Sequence, residues 1–228
     1  MAYTLITANR NYSSWSLRPW ALMKALDIPF DDRIEPFLKP SNYEDFRAFS
    51  PTGQVPVLID GERTVWDTLG IVMYLADRHK GVWPRDEAAR AWAQCAVAEM
   101  HSGFAALRNA CGMCVGIRIE LKPMSDALKR DVDRIAELWA EGIARFGGPW
   151  LAGPAFSAVD AFFAPVAFRV RSYGLCVGNV GSAWVDQLLS HPAIRAWEAA
   201  ALAETWRDGP HEADILASGT VVADYRAT

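Results

Sequence analysis

Up to about residue 80, apolar and polar positions alternate over short lengths, and the period changes several times. Tyr3-Thr-Leu-Ile-Thr7 is a short run rich in β-branched residues, which predicts a strand, and it runs into the polar, turn-prone stretch Asn9–Ser14. Apolar positions at Leu17, Trp20, Ala21, Met23 and Leu26 then recur with helical spacing. Ser13 or Ser14 is available as the N-cap, and Pro19 is tolerated in the first turn. Asp32–Pro36 predicts a second strand. Val55–Ile59 and Arg63–Trp66, joined by Asp60-Gly61, predict a hairpin. Apolar residues at 69, 71, 72, 75 and 76 predict a helix over Thr68–His79. The order β-α-β, long connection, β-β-α describes a compact α/β unit over residues 1–80. Beyond a Gly/Pro-containing linker the pattern turns helical over 88–110, 125–146, 157–172, 182–189 and 191–206. This predicts an all-α second domain over 87–228, with 207–228 as a trailing tail.

Composition narrows the classes. The chain has 228 residues, of which 51% are hydrophobic, so it can bury a proper core and is no disordered segment. A net charge of −4 lacks the basic footprint of a nucleic-acid or anionic-membrane binder. No apolar run reaches the roughly 18 residues of a membrane span, since Ala161–Phe168 stops at Arg169. The first residues show neither the basic nor the apolar part of a secretory signal. Four cysteines are too few for a disulfide scaffold, so the expectation is a cytoplasmic protein with reduced thiols. Ten Trp, ten Phe and six Tyr are a large aromatic load that suits a core or an apolar pocket equally.

Three local signals carry candidate chemistry. Ser13 and Ser14 stand at a strand-to-helix junction, where backbone N–H groups and the helix dipole favour an anion. No cysteine occupies that turn, so the pair suits a thiolate brought by a ligand, and simple helix capping is the alternative. A Ser-His-Asp hydrolase is rejected, because neither serine lies in a nucleophile-elbow pattern. Gln54-Val55-Pro56 is the second signal. A residue before a cis proline turns its backbone polar groups outward to pair with an extended peptide, while an ordinary edge strand is the alternative. Asp67-Thr68 opens a helix, as N-cap or as the holder of a ligand's α-amino and α-carboxylate groups. Together they describe one peptide-shaped site.

Ser13-Ser14-Trp15-Ser16-Leu17-Arg18, Ser50–Leu58 (Ser-Pro-Thr-Gly-Gln-Val-Pro-Val-Leu) and Asp67–Leu75 resemble, in type and order, the cytosolic glutathione transferases. Gly153–Asp160 resembles that family's second-domain capping box, and His191–Trp197 its late helix. The resemblance covers about residues 3–206. It implies an α+β thioredoxin-like domain followed by an all-α helical domain, with a homodimer and a detoxifying activity in the cytoplasm. It also implies glutathione as co-substrate and no metal. Carried over, Ser14 or Ser13 would donate to the sulfur, and Val55 before Pro56 would pair with the cysteinyl backbone. Asp67 and Thr68 would hold the γ-glutamyl end, with Gln54 and Lys39 serving the remaining polar groups and Arg18 near the thiolate. Lowering a thiol pKa by about two units from about 8.5 takes roughly 2.7 kcal/mol of differential stabilisation. A serine hydrogen bond, a helix N-terminus and a nearby arginine can supply that. The thiolate would then attack a small hydrophobic electrophile.

The serine motif is most similar to the zeta-like pattern, whose members include glutathione-dependent cis–trans isomerases of the maleylacetoacetate or maleylpyruvate type. Trp15 stands where that pattern has cysteine. A non-catalytic glutathione-binding protein is the third reading. Tyr12, Trp15, His101, Phe104, Arg169 and Arg171, with Trp206, are candidates for the co-substrate pocket, against ordinary packing or salt bridges. Cys111-Gly-Met-Cys114 has redox spacing but ends a helix in the helical half. Buried or loop thiols are therefore expected there.

Overall fold

A computed structural model describes residues 3–39 and 41–227. Strand β1 (Tyr3–Thr7) leads into helix α1 (Ser14–Ala25) and strand β2 (Phe30–Ile34). The short α2 (Tyr43–Phe46) precedes the hairpin β3 (Val57–Asp60) and β4 (Arg63–Val65), and α3 (Thr68–Ala76) closes the unit. The sheet order is β2-β1-β3-β4. β1 runs parallel to β2, with Leu5 opposite Asp32, and antiparallel to β3, with Leu5 opposite Leu58. The α/β unit therefore has the element order expected, although β2 begins two residues earlier than Asp32.

The helical half comprises α4 (Glu87–Ser102), α5 (Ala105–Ala110), α6 (Asp126–Phe146), α7 (Ala158–Tyr173), α8 (Gly178–Ser190), α9 (Pro192–Ala203) and α10 (Gly209–Ser218). None of the described helices is long and apolar enough to cross a membrane. The helix expected over 88–110 is two helices. Phe104 takes a left-handed conformation (φ 55°) between them, and a Cβ on Gly103 would lie 2.7 Å from the Glu99 carbonyl oxygen. The expectation that no strand follows residue 87 fails at β5 (Ile117–Leu121), which pairs antiparallel with β6 (Gly219–Asp224). The supposed tail is thus α10 and β6. Asp208 caps α10 by accepting from the His211 N–H, and Pro210 sits in its first turn.

Helix α7 is the axis of the core. Nearly every residue from Ala158 to Tyr173 is buried, whatever face it occupies, as befits a helix surrounded on all sides. The Asp160 carboxylate accepts from the N–H of Ser157 (3.0 Å), closing the capping box, and from Leu151 N (2.9 Å) and Trp184 Nε1 (3.2 Å). α1 is sandwiched between the sheet and α7 and α9, so it too is buried on nearly every side and shows little amphipathic contrast. Much of the aromatic load sits in this packing. Trp139 and Trp184 have ring centroids 4.4 Å apart. Trp20 and Trp197 meet edge to face, and the Arg10 guanidinium lies over both rings.

Candidate active site

The turn between β1 and α1 is built by residues from the other end of the chain. The Glu204 carboxylate accepts from the N–H of Arg10 (2.8 Å) and of Asn11 (3.3 Å). Asn11 Nδ2 donates to the Ala201 carbonyl at 2.6 Å, and Asn9 Oδ1 accepts from Phe37 N at 2.6 Å. Burial raises the Glu204 carboxyl above its ordinary value, and the hydrogen bonds from Arg10 and Asn11 oppose that rise. The turn delivers Ser14 to the first position of α1. Ser13, at the N-cap position, makes no side-chain cap and instead donates its hydroxyl to Ser16 Oγ at 2.7 Å. No hydrogen bond among the described residues engages the Ser14 hydroxyl, although the residue is only 8% exposed.

The Val55–Pro56 peptide bond is cis. β3 begins only at Val57, and among the described residues neither the N–H nor the C=O of Val55 takes a hydrogen bond. The loop before it is tied down by Ser50, whose hydroxyl donates to the Gln54 carbonyl (2.6 Å) and accepts from the Gln54 N–H (3.1 Å). Gly53, at φ +66°, lies against Tyr43, where a Cβ would come within 2.5 Å of the ring. The Gln54 side chain is exposed, and Lys39, also exposed, pairs with Asp45 at 2.7 Å.

Asp67 and Thr68 sit at the start of α3. One Asp67 oxygen caps the helix by accepting from Leu69 N (3.0 Å) and Gly70 N (3.3 Å). The other lies 3.3 Å from His101 Nε2 on α4. The buried Thr68 hydroxyl donates to the Trp15 carbonyl at 3.0 Å, tying the start of α3 to the start of α1. The capping alternative for Asp67 is therefore filled, and its side chain remains 56% exposed. Trp15 is half-buried and packs edge to face on His101, with centroids 5.3 Å apart.

The remaining candidates divide. Arg18, expected near the thiolate, is fully buried between Trp15 and Phe162 and does not lie open at the start of α1. Arg169 is buried on α7, with its Nε on the Cys111 carbonyl (2.7 Å), whereas Arg171 forms an ion pair with Glu198 at 2.6 Å. Phe104 is buried beneath the α4–α5 break. Tyr12 donates to Glu212 Oε1 at 2.6 Å and stacks on His211, which also stacks on Phe37. Glu212 in turn takes both terminal nitrogens of Arg226. Trp206 is 39% exposed on the segment that leads into α10. Cys111 and Cys114 are buried free thiols, both pushed up to about 11, chiefly by burial. Two shallow cavities, of about 390 and 320 Å³, lie elsewhere, one by Arg33 and Phe49 and one between α5 and α10.

Residues 12–78 match the model of the glutathione S-transferase N-terminal domain, and residues 85–200 match that of the C-terminal domain. The chain belongs to the glutathione S-transferase family. Among curated relatives, the glutathione S-transferase GstB of Escherichia coli K12 is 25% identical over 206 residues, covering 82% of this chain and 93% of that one. Dichloromethane dehalogenase of Methylorubrum extorquens is 36% identical over 61 residues, a match that spans 26% of this chain and only 21% of the relative. A glutathione transferase homologue from a Burkholderia strain, solved with bound glutathione, superposes with a TM-score of 0.68 at 19% identity. That match covers 88% of this chain and 98% of the other. Glu204, Glu212 and Arg226 escaped the sequence reading, because they reach the turn through tertiary packing. The one usable signal was Asp208-Gly209-Pro210, a cap followed by proline, which announces α10.

Proposed function

We propose that this glutathione S-transferase is a serine-type conjugating enzyme in which Ser14 activates the glutathione sulfur. The observation that carries the reading is the pairing of two unused groups, the backbone edge of Val55 and the hydroxyl of Ser14 at the first position of α1. An extended tripeptide laid along Val55 adds a strand edge there. Its γ-glutamyl end falls to the exposed Asp67 carboxylate and the N-terminus of α3, and its thiol faces the start of α1. Gln54 and Lys39 supply polar groups from the exposed loop.

In the proposed step the Ser14 O–H donates to the sulfur as the thiol proton leaves to solvent, and the N-terminus of α1 stabilises the resulting negative charge. The thiolate then forms a C–S bond to an electrophilic carbon, and the leaving group departs with the bonding electron pair. Exposed Trp66, just before α3, and exposed Met73 on α3 support the association of two copies there. Light scattering that returns the dimer mass is the expected result for that part of the reading.

The decisive measurement is the ionisation of bound glutathione, followed by thiolate absorbance in wild type and Ser14→Ala, with conjugation of 1-chloro-2,4-dinitrobenzene assayed in parallel. The variant is expected to return the bound thiol toward the free value of about 8.5 and to lose ten-fold or more in kcat. An unshifted thiol with undiminished turnover in Ser14→Ala overturns the assignment.

A further inference from the structure

The last residues described close on the serine turn through one side chain. The Arg226 side chain is 5% exposed, and each of its nitrogens has a partner. Nε and Nη2 donate to the Asp224 carboxylate at 2.9 and 2.7 Å, and Nη2 also reaches Glu212 Oε2 at 3.1 Å. Nη1 donates to the other Glu212 oxygen and, at 3.0 Å, to the Tyr12 hydroxyl. Tyr12 is 3% exposed, and its own O–H goes to Glu212 Oε1 at 2.6 Å. The phenol is therefore held by both members of an ion pair. Its ring also stacks on His211 of α10, with centroids 5.3 Å apart.

The seat for that arginine is built into the chain. A Cβ on Gly116, just before β5, would lie 2.3 Å from Arg226 Cγ, so glycine there makes room for the side chain. The Tyr225 N–H donates to the Gly116 carbonyl at 2.9 Å and the Ala227 N–H to the Leu202 carbonyl at 2.7 Å, fixing the backbone on either side of Arg226. Asn11 Oδ1 accepts from Gly116 N at 3.2 Å, which ties the neighbour of Tyr12 to the same place. Apolar residues of similar volume fill a core at less cost than a buried ion pair. What a pair with every donor matched supplies is one fixed position for the groups it holds.

Tyr12 passes that position to Ser14. Its carbonyl accepts from the Ser14 N–H at 2.8 Å, while the N–H groups of Tyr12 and Ser13 both go to the Asn9 carbonyl, at 3.1 and 2.9 Å. A shift of Tyr12 therefore moves the first residue of α1, whose hydroxyl has no partner of its own among the described residues to hold it. We infer that Arg226 is a positioning residue for Ser14, acting from the far end of the chain through Glu212 and Tyr12. It touches neither the thiol nor the electrophile, and it sets the aim of the hydroxyl that faces the sulfur. The inference rests on the function proposed above, which gives that hydroxyl its task. Moving a reacting group by about 1 Å is enough to cost up to about a hundred-fold in rate.

The test follows the ionisation of bound glutathione by thiolate absorbance, with conjugation of 1-chloro-2,4-dinitrobenzene in parallel, in wild type, Arg226→Met, Tyr12→Phe and Ser14→Ala. Both Arg226→Met and Tyr12→Phe are expected to raise the pKa of the bound thiol and to lower kcat about ten-fold. Binding of S-methylglutathione, which has no thiol to ionise, is expected to stay within about two-fold of wild type, since the rest of the site is untouched. Tyr12→Phe keeps the ring and leaves Arg226 paired with Glu212 and Asp224, so it carries the test if Arg226→Met fails to fold.

A second arm combines the variants. In a Ser14→Ala background, the partner substitution (Arg226→Met, or Tyr12→Phe in its place) is expected to move neither the thiol pKa nor kcat any further. A residue that works only through Ser14 has nothing left to act on there. Effects that multiply, a bound thiol unmoved in the folded variants, or S-methylglutathione binding lost in step with turnover overturns the inference. Failure of the serine reading looks different. Ser14→Ala alone then leaves the bound thiol and the turnover unchanged, and this inference falls with that reading.

Discussion

Ser13 and Ser14 are neighbours with similar burial and different obligations. The Ser13 hydroxyl is spent on Ser16 Oγ, which also accepts weakly from Ala8 N at 3.4 Å, so it braces the turn. Ser13→Ala is expected to cost about 1 kcal/mol of stability and to leave kcat within a few-fold. Ser14→Ala should do the reverse, and thermal melts beside conjugation kinetics on the two variants check the division. Asp160 offers a sharper structural case. Its carboxylate is the acceptor for the N–H groups of Ser157, Leu151 and Trp184, all inside the core. Asp160→Ala would strand three buried donors, an expected loss of about 3 kcal/mol or more. At roughly 2–4 °C per kcal/mol for a chain of this size, the melting temperature should fall by about 6–12 °C.

At the scale of elements, the C-terminal α10 and β6 are held over the serine turn by charged groups. Burial raises the Glu212 carboxyl, and the hydrogen bonds from Arg226 and Tyr12 more than reverse this, leaving it below its ordinary value of 4.5. A carboxyl depressed in the folded state contributes its full stabilisation above the unfolded pKa and loses it as the pH falls through the folded one. Hydrogen exchange over Gly209–Asp224 should therefore accelerate below about pH 4.5, and Arg226→Ala should produce the same loosening at neutral pH. The same elements mark where sequence legibility ended. The β1–α1 unit, the hairpin, α3 and α7 announce themselves through local period, turn residues and caps. Ser14, Val55, Pro56, Asp67 and Thr68 lie in those legible stretches. β5 alternates correctly as Ile117-Arg-Ile-Glu-Leu121, but its partner lies about a hundred residues away, and no tight turn joins them. A short strand without a local hairpin looks like loop. Glu204 was equally hidden, since a solitary charge at a helix end reads as solvated surface until packing is known.

For the whole molecule, the two halves share one continuous core in which α1 packs on α7 and α9, and Trp20 meets Trp197 beneath Arg10. A fragment of residues 1–84 would expose nearly the entire outer side of α1, including Trp20 and the buried Arg18. Its far-UV spectrum and denaturant titration are expected to show no cooperative native transition, whereas the full chain should give one. A cooperative fragment would refute this view of a single interlocked unit. The acceptor for the Arg10 and Asn11 amides lies 194 and 193 residues further on, at Glu204. During synthesis, the first helix can form early, but the turn that aims Ser14 stays without its anchor until α9 has left the ribosome. If Ser14 acts as proposed, a nascent chain is thus catalytically silent until Glu204 has been made and has closed the turn.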